Sequence, residues 1–288
     1  MTKTAIVTRY FLPVQGGIEI HCLNLAKRLK NKGLEVELHT SEDTYLTKGA
    51  LKRCEIVNDL RVYRHRHFYY TVSKYLKYDV VHLHNFNVLP HGLILLLVSI
   101  RRTLRMSTPR IIITTHGGFN PYWNDFPVPL RIMKKIYKKT LARYFLNHIV
   151  DKIIAVSQWE YTALVHSGIK AEKIELIPNG VEDDAYSFPS LSDEKLNSIK
   201  PYLCFIGRIA KIKNLEFLIR AVQDLKVSLV IAGQVTEPDY YQYIMKLINE
   251  TDAKNRIFYY HEVYGRNKYA LIDNALQSCL HPSTNQKE

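Results

Sequence analysis

Short apolar, β-branched runs recur along the chain, most of them followed by a longer stretch of helical period, and this alternation constrains the fold more than any other feature. The runs are TAIVTRY (4–10), EVELHTS (35–41), LRVYRHR (60–66), DVVHLHN (79–85), RIIITTHG (110–117), KIIAVSQ (152–158) and KIELIPNG (173–180). Their hydrophobicity is continuous rather than alternating, so they read as strands buried on both faces of a parallel sheet, the hallmark of an α/β protein. Between the first two, Ile20, Leu23, Leu25, Ala26 and Leu29 share one side and Lys27, Arg28, Lys30 and Lys32 lie mostly on the other, ahead of Gly33. That pattern predicts an amphipathic helix with a glycine C-cap. After an acidic, Ser- and Pro-containing stretch at 182–200 the pattern restarts: PYLCFIGRI (201–209), VSLVIAGQ (227–234), RIFYYHEV (256–263) and SCLHPS (278–283) alternate with helical segments near 214–226, 238–252 and 266–276. The expectation is two doubly wound domains, 1–181 and 201–288, joined by a linker at 182–200 and facing each other across a cleft lined by strand-end loops.

Charge separates the two halves. The net charge is +13, yet residues 1–180 hold 27 basic and 13 acidic side chains while 181–288 hold 13 and 14. A one-sided positive field attracts nucleic acid, an anionic membrane or phosphorylated small molecules. Cys22, Cys54, Cys204 and Cys279 stand far apart in apolar contexts with no C-x-x-C pair, which predicts reduced, buried thiols and a cytoplasmic compartment. The opening MTKTAIVTRYF has no signal-peptide core. The most apolar run, LILLLVSI (93–100), falls short of the about 20 residues that span a bilayer.

Candidate chemistry sits at the strand ends. In FLPVQGGIE, Gly16 and Gly17 leave the first strand and open into the helix near Glu19; adjacent glycines let backbone N–H groups approach a phosphate or sugar at a helix N-terminus. The spacing is not G-x-G-x-x-G, and no acidic residue follows to hold a ribose, so a dinucleotide cofactor is disfavoured. In FIGRIAKIKN, Gly207 and Arg208 end a buried strand and Lys213 follows five residues later. A guanidinium and an ammonium converging there would neutralise a leaving diphosphate without a metal. Gly233, in IAGQ, and HPSTNQKE (281–288), with Ser283 and Glu288, fall at the corresponding ends of two further strands.

Taken in order, FLPVQGGIEIH, DVVHLHN, TTHGG, IAVSQ, IPNGV and FIGRIAKIKNLEFLIRA resemble the retaining nucleotide-sugar glycosyltransferases of family 4, which have the GT-B fold of two Rossmann-like domains. The resemblance implies that Arg208 and Lys213 hold the donor diphosphate, with Gly16, Gly17, Gly207, Gly233, Val263 and Ser283 lining the donor site. It places His116 beside the anomeric carbon of the donor sugar and Glu288 on that sugar's hydroxyls, and puts Glu19, His84 and Asn85 on the acceptor side. The implied partners are a nucleoside diphosphate sugar and a glycan or lipid-linked acceptor, with no cofactor and no metal. Asn214 stands where the family commonly has glycine, and Ile272-Asp273 where it often has Leu-Tyr. The family's second glutamate lies eight residues beyond the first, past Glu288, so the second domain reads as incomplete by roughly 70–100 residues. The alternative that follows is a truncated chain acting as a binding module.

Other signals in the sequence compete with this resemblance. His82 and His84 share a strand face, and with His65, His67 and His116 they suggest a metal cluster; the family pattern instead has one of the pair packing and the other lining the acceptor cleft. Glu182-Asp183-Asp184 suggests a metal motif but falls in the linker, where a solvated loop is expected. The segment LRIMKKIYKKTLARYF (130–145) carries six basic residues around an apolar stripe of Met133, Ile136, Tyr137, Leu141, Tyr144 and Phe145, fitting either a core-facing helix or peripheral contact with an anionic inner membrane face. The 20 tyrosines do not cluster with the basic residues, and no nucleic-acid partner is expected.

Overall fold

The computed structural model describes residues 1–14, 16–43, 51–66, 72–86, 89–119, 127–186, 198–225, 227–261, 263 and 265–278. Two compact units divide the chain, Met1–Gly180 and Val181–Glu288.

The first unit is built on β1 (Lys3–Val7), β2 (Glu35–Ser41), β3 (Cys54–Val57), β4 (Leu60–His65), β5 (Val80–His84), β6 (Arg110–Thr114), β7 (Lys152–Ala155) and β8 (Ile174–Leu176). They form one sheet in the order β3-β4-β2-β1-β5-β6-β7-β8, parallel except for the β3–β4 pair. Both faces are covered, which explains the continuous hydrophobicity. Ile6 and Leu38 pack under Cys22, Leu23 and Ala26 of α1 (Gly17–Asn31), whereas Ala5, Val7, Val81 and Leu83 point the other way, into Ile94, Leu95 and Val98 of α2 (Leu89–Thr103). Helix α1 ends at the expected glycine: Gly33 takes φ 84 and its N–H bonds to Lys30 O at 2.9 Å, a left-handed exit that only glycine makes without steric cost.

One strand was not anticipated. β3 and β4 are joined by Asn58 and Asp59, both at positive φ (50 and 61), the two-residue hairpin turn whose twist matches that of the strands. β3 forms the sheet edge, so Cys54 is exposed, correcting the expectation of a buried thiol; Cys22 and Cys204 are buried as expected.

The basic segment also divides. Helix α3 (Val128–Tyr137) buries no residue, and the chain continues through two wider, π-wound turns, Lys138–Ala142 and Phe145–Ile149. Phe145, Leu146 and Ile149 enter the core while Ile132, Met133, Ile136, Leu141 and Tyr144 remain exposed, Met133 at 60%. The stripe therefore splits: Phe145 is core and Tyr137 packs against it, whereas Met133, Ile136, Leu141 and Tyr144 face out.

The second unit has a four-stranded parallel sheet in the order β11-β10-β9-β12, from β9 (Tyr202–Ile206), β10 (Ser228–Ala232), β11 (Ile257–Tyr260) and β12 (Gln277–Ser278). Phe205, Leu229 and Ile231 pack against α5 (Leu215–Asp224) and α6 (Pro238–Glu250), and Tyr202, Cys204 and Val230 against Leu271 of α7 (Gly265–Asp273). Glu182 is not the solvated loop residue expected. It accepts from Tyr269 Oη at 2.8 Å and pairs with Lys268 Nζ at 3.1 Å, tying the start of the second unit to α7. His67, Cys279, Ser283, Glu288 and residues 187–197 lie outside the described residues.

Candidate functional site

In the first unit the chain runs from β1 outward through β2 to β3, then returns to place β5 on the other side of β1. The crevice at the carboxyl ends of β1 and β5 is therefore the topological switch point, where open α/β sheets place ligands. Three elements deliver side chains to it: α1 after β1, Asn85 after β5, and the His116 loop after β6. His84 Nδ1 lies 3.1 Å from His116 Nε2, and the ring of His21, one turn into α1, stands 5.1 Å from His116 and 5.4 Å from His84 between centroids. His82 is spent on Thr114 Oγ1 at 2.8 Å.

The backbone there is held in a costly conformation. Asn85 (φ 70) and His116 (φ 46) are both left-handed, a state that asparagine tolerates but that costs most other non-glycine residues of order 1–3 kcal/mol and concentrates at functional sites. Gly117 follows at φ 74, and a Cβ on Gly118 would collide with the Asn85 side chain and sit 3.0 Å from Thr115 O, so the loop and Asn85 are fitted together. His84 is fully buried; it does not line a surface, and the expectation that one histidine of the pair packs and the other is presented to an acceptor is corrected to both packing. Glu19 is likewise turned inward, at 9% exposure, with Oε2 where a Gly16 Cβ would be 2.5 Å away, while Gly17 faces open space. As third residue of the helix, Glu19 complements the helix dipole from within.

Burial pushes His116 down to about 4, helped by the nearby His21, and burial lowers His21 and, far more, His84. All three imidazoles are neutral at pH 7.

Glu160 was not singled out from the sequence, yet it holds this loop. Its side chain is 3% exposed; Oε1 accepts from Thr115 Oγ1 and the Gly117 N–H at 2.5 Å each, and Oε2 from the Val156 N–H at 2.8 Å. Ser157 caps α4 (Gln158–His166) by accepting from the Glu160 N–H, so Ser157-x-x-Glu160 carries the signature of a capping box. Here the glutamate reaches instead to the neighbouring loop. Glu160→Gln removes a charged acceptor from two amides and a hydroxyl, and is expected to lower turnover at least about tenfold with a melting shift of only a few degrees. Parallel activity and thermal-melt measurements check this; unchanged turnover contradicts the positioning role.

In the second unit Gly207 follows β9, and its N–H bonds to Ala232 O at 3.0 Å. A Cβ on Gly233 (φ 151) would collide with the Gly207 carbonyl, so the two glycines bring their strand ends together. Arg208 is exposed and Lys213 half-buried. Burial and then the Arg208 charge lower the lysine pKa, the mark of two cations held near one another. The turn Lys211–Lys213 is fixed from outside: Lys211 N–H donates to Glu237 Oε2 at 3.1 Å, and Leu215 N–H to Tyr240 Oη at 2.9 Å. Asn214 adopts φ 47, ψ 51, which explains how asparagine replaces glycine: it is among the few residues that tolerate this conformation. Val263 packs against the β9–β10 core. A nearby depression of 720 Å³ is lined by Lys211, Glu216, Glu237, Asp239 and Tyr240 among others; three carboxylates against one lysine make it a poor diphosphate site.

Two Rossmann-like units whose strand ends carry glycines, a neutral histidine and a paired guanidinium and ammonium define an α/β protein of the GT-B class. Residues 15–185 match the model of Glycosyltransferase Family 4, and residues 190–287 that of Glycosyl transferases group 1. The chain belongs to glycosyltransferase family 4. It is 26% identical over 275 residues to an uncharacterized glycosyltransferase of Methanocaldococcus jannaschii, covering 83% of this chain and 64% of that one. It is 24% identical over 239 residues to the GDP-mannose:cellobiosyl-diphosphopolyprenol alpha-mannosyltransferase of Komagataeibacter xylinus, covering 81% and 58%. The chain thus spans less than two thirds of these relatives. Among solved structures, Anabaena HepE in complex with UDP-glucose superposes with a TM-score of 0.69 at 17% identity, covering 99% of this chain and 74% of that one. The catalytic domain of starch synthase IV from Arabidopsis thaliana, bound to ADP and acarbose, superposes with a TM-score of 0.61 at 12% identity, covering 98% and 78%.

Proposed function

We propose that this protein is a retaining glycosyltransferase that moves a sugar from a nucleoside diphosphate sugar to a hydroxyl of a glycan or lipid-linked acceptor. The observation that carries the reading is the placement of Arg208 just after β9 and of Lys213 at the end of the turn that follows, where burial and then the guanidinium charge lower the lysine pKa. Two cations that repel one another in the ligand-free protein are stabilised by the charge of a departing diphosphate. The acceptor oxygen attacks the anomeric carbon on the face the phosphate leaves. The C–O bond to phosphate breaks as the new C–O bond forms, and the departing phosphate oxygen takes the hydroxyl proton. A neutral His116 suits a donor sugar developing positive charge, because a protonated ring would repel it. Gly16, Gly17, Gly207 and Gly233 admit the donor by backbone approach, Asn85 shapes the acceptor side, and Ser283 and Glu288 are assigned to the donor from sequence alone. No metal or cofactor is required by these steps. Incubation with UDP-, GDP- and ADP-sugars, with product anomers read by NMR, tests the reading; an inverted product, or neither transfer nor hydrolysis with any donor, overturns it.

A lipid-linked acceptor at the inner membrane face is the reading that α3 supports. α3 presents exposed Ile132, Met133 and Ile136 beside basic residues, the pattern of a helix lying on anionic lipid, where each basic side chain contributes about 1 kcal/mol. Among the described residues no helix is long and apolar enough to cross a membrane. Co-sedimentation with phosphatidylglycerol vesicles is expected, and is expected to be lost in Ile132→Asp/Ile136→Asp; equal binding to phosphatidylcholine vesicles contradicts the charge-based contact.

A further inference from the structure

We propose that His21, His84 and His116 form a binding site for a divalent transition metal of the zinc class, and that an occupied site withdraws His116 from the transfer reaction. One ring nitrogen from each of the three lies within 4.8 Å of the others. Tetrahedral zinc with Zn–N near 2.0–2.1 Å needs ligand nitrogens about 3.3 Å apart, and His84 Nδ1 and His116 Nε2 already stand at 3.1 Å. Closing the site therefore asks only that His21 turn inward by at most about 1.5 Å. His84 is fully buried, and its Nε2 has no hydrogen-bond partner among the described residues, so the cluster is not a satisfied hydrogen-bond network. The histidines brought together are not the set that the sequence suggested: His65 bonds to His39 and His82 to Thr114, while His21 joins from α1.

The ligand chemistry selects the ion. Three imidazoles and no carboxylate suit Zn²⁺, Co²⁺, Ni²⁺ or Cu²⁺ and disfavour Mg²⁺ and Ca²⁺, which require oxygen ligands. An imidazole binds a metal through its unprotonated nitrogen, so coordination moves the proton between His84 Nδ1 and His116 Nε2 to the other nitrogen of the same ring. His21 and His116 are partly exposed, which gives an entry path and leaves the fourth position to water. Fixing the His116 lone pair on the metal removes it from donor and acceptor alike. The inhibitory half of the proposal rests on the glycosyltransferase reading; metal binding does not.

Calorimetric titration of the chelator-treated protein with Zn²⁺, and titration with Co²⁺ followed by its visible tetrahedral bands, test the site without substrate. One equivalent is expected to bind, Mg²⁺ is expected not to, and His21→Ala and His116→Ala are each expected to weaken binding at least about tenfold. The exposed His148→Ala serves as the control, and circular dichroism confirms folding. These two positions are chosen because His84→Ala endangers the core. Absence of zinc binding, or binding indifferent to both substitutions, overturns the site. Transfer stopped by zinc and restored by chelator supports the inhibitory half; full transfer by zinc-loaded protein overturns it. A protein that binds zinc but transfers nothing overturns the glycosyltransferase reading and the inhibitory half with it, and leaves the metal site standing.

Discussion

Arg208→Ala and Lys213→Ala are each expected to lower turnover by about 10²–10³, the scale on which a preorganised donor to developing negative charge acts, while shifting stability by no more than about 0.5 kcal/mol. The small stability term follows from where the groups sit. Arg208 is exposed, so truncating it empties no core. Lys213 is half-buried with a pKa lowered by burial and by Arg208, so its charge is a cost in the ligand-free protein and its removal relieves one. Arg208→Lys keeps the charge but loses the planar fork, and is expected to recover part of the loss only. Steady-state kinetics beside thermal melts separate the two terms. Equal loss of stability and turnover would mean that the pair is structural.

The second large effect is acid sensitivity of the first unit. His39 and His65 bond to each other at 2.9 Å, and His39 Nε2 meets Tyr78 Oη at 2.7 Å, with Tyr78 donating in turn to Glu37. Burial, the neighbouring His65, and Lys77, Lys74 and Lys3 hold His39 at about 3; burial and Lys74 hold His65 at about 4; burial holds His91 at about 4. Each folded value is below the unfolded 6.5, so between pH 6.5 and about 4 the unfolded chain binds protons that the folded chain refuses. Stability from these groups is complete above pH 6.5 and is lost as pH falls. At pH 5.5 each costs about 1.4 kcal/mol, or about 4 kcal/mol for the three, a large share of the 5–15 kcal/mol of a typical domain. Both tryptophans, Trp123 and Trp159, belong to the first unit, so denaturation followed by tryptophan fluorescence reports it alone. The midpoint is expected to fall steeply from pH 7.5 to 5.5, with a shallower slope in His39→Gln. A flat profile contradicts the buried neutral histidines.

The parallel sheet was legible because strands buried on both faces write continuous apolar runs, and Ile6 against Ala5 and Val7 shows the two faces being served. β3 was not, because its signal is a turn of Asn58-Asp59 rather than Asn-Gly, and an edge strand needs no apolar continuity. Arg208, Lys213 and His116 can be proposed from the sequence because they sit beside strand ends within local motifs. His21 and Glu160 were not, because their contacts depend on strand order: only when β1, β5 and β6 lie side by side does α1 bring His21 to His84, and only the packing of α4 beyond β7 turns Glu160 back onto Gly117. The period of two that put His82 and His84 on one face was read correctly, but it carried no information on whether that face was open. Asn214 is the converse case, a departure from the family pattern that the backbone explains at once.

The account rests most heavily on a diphosphate-binding site at Arg208 and Lys213. Calorimetric titration of UDP, GDP and ADP into the protein, repeated with Arg208→Ala and Lys213→Ala, tests it most directly. The predicted result is measurable binding of at least one of the three, weakened at least about tenfold in both variants, in keeping with the loss of charge-assisted hydrogen bonds worth about 1.5–3 kcal/mol. Binding of none, or equal binding by both variants, contradicts it.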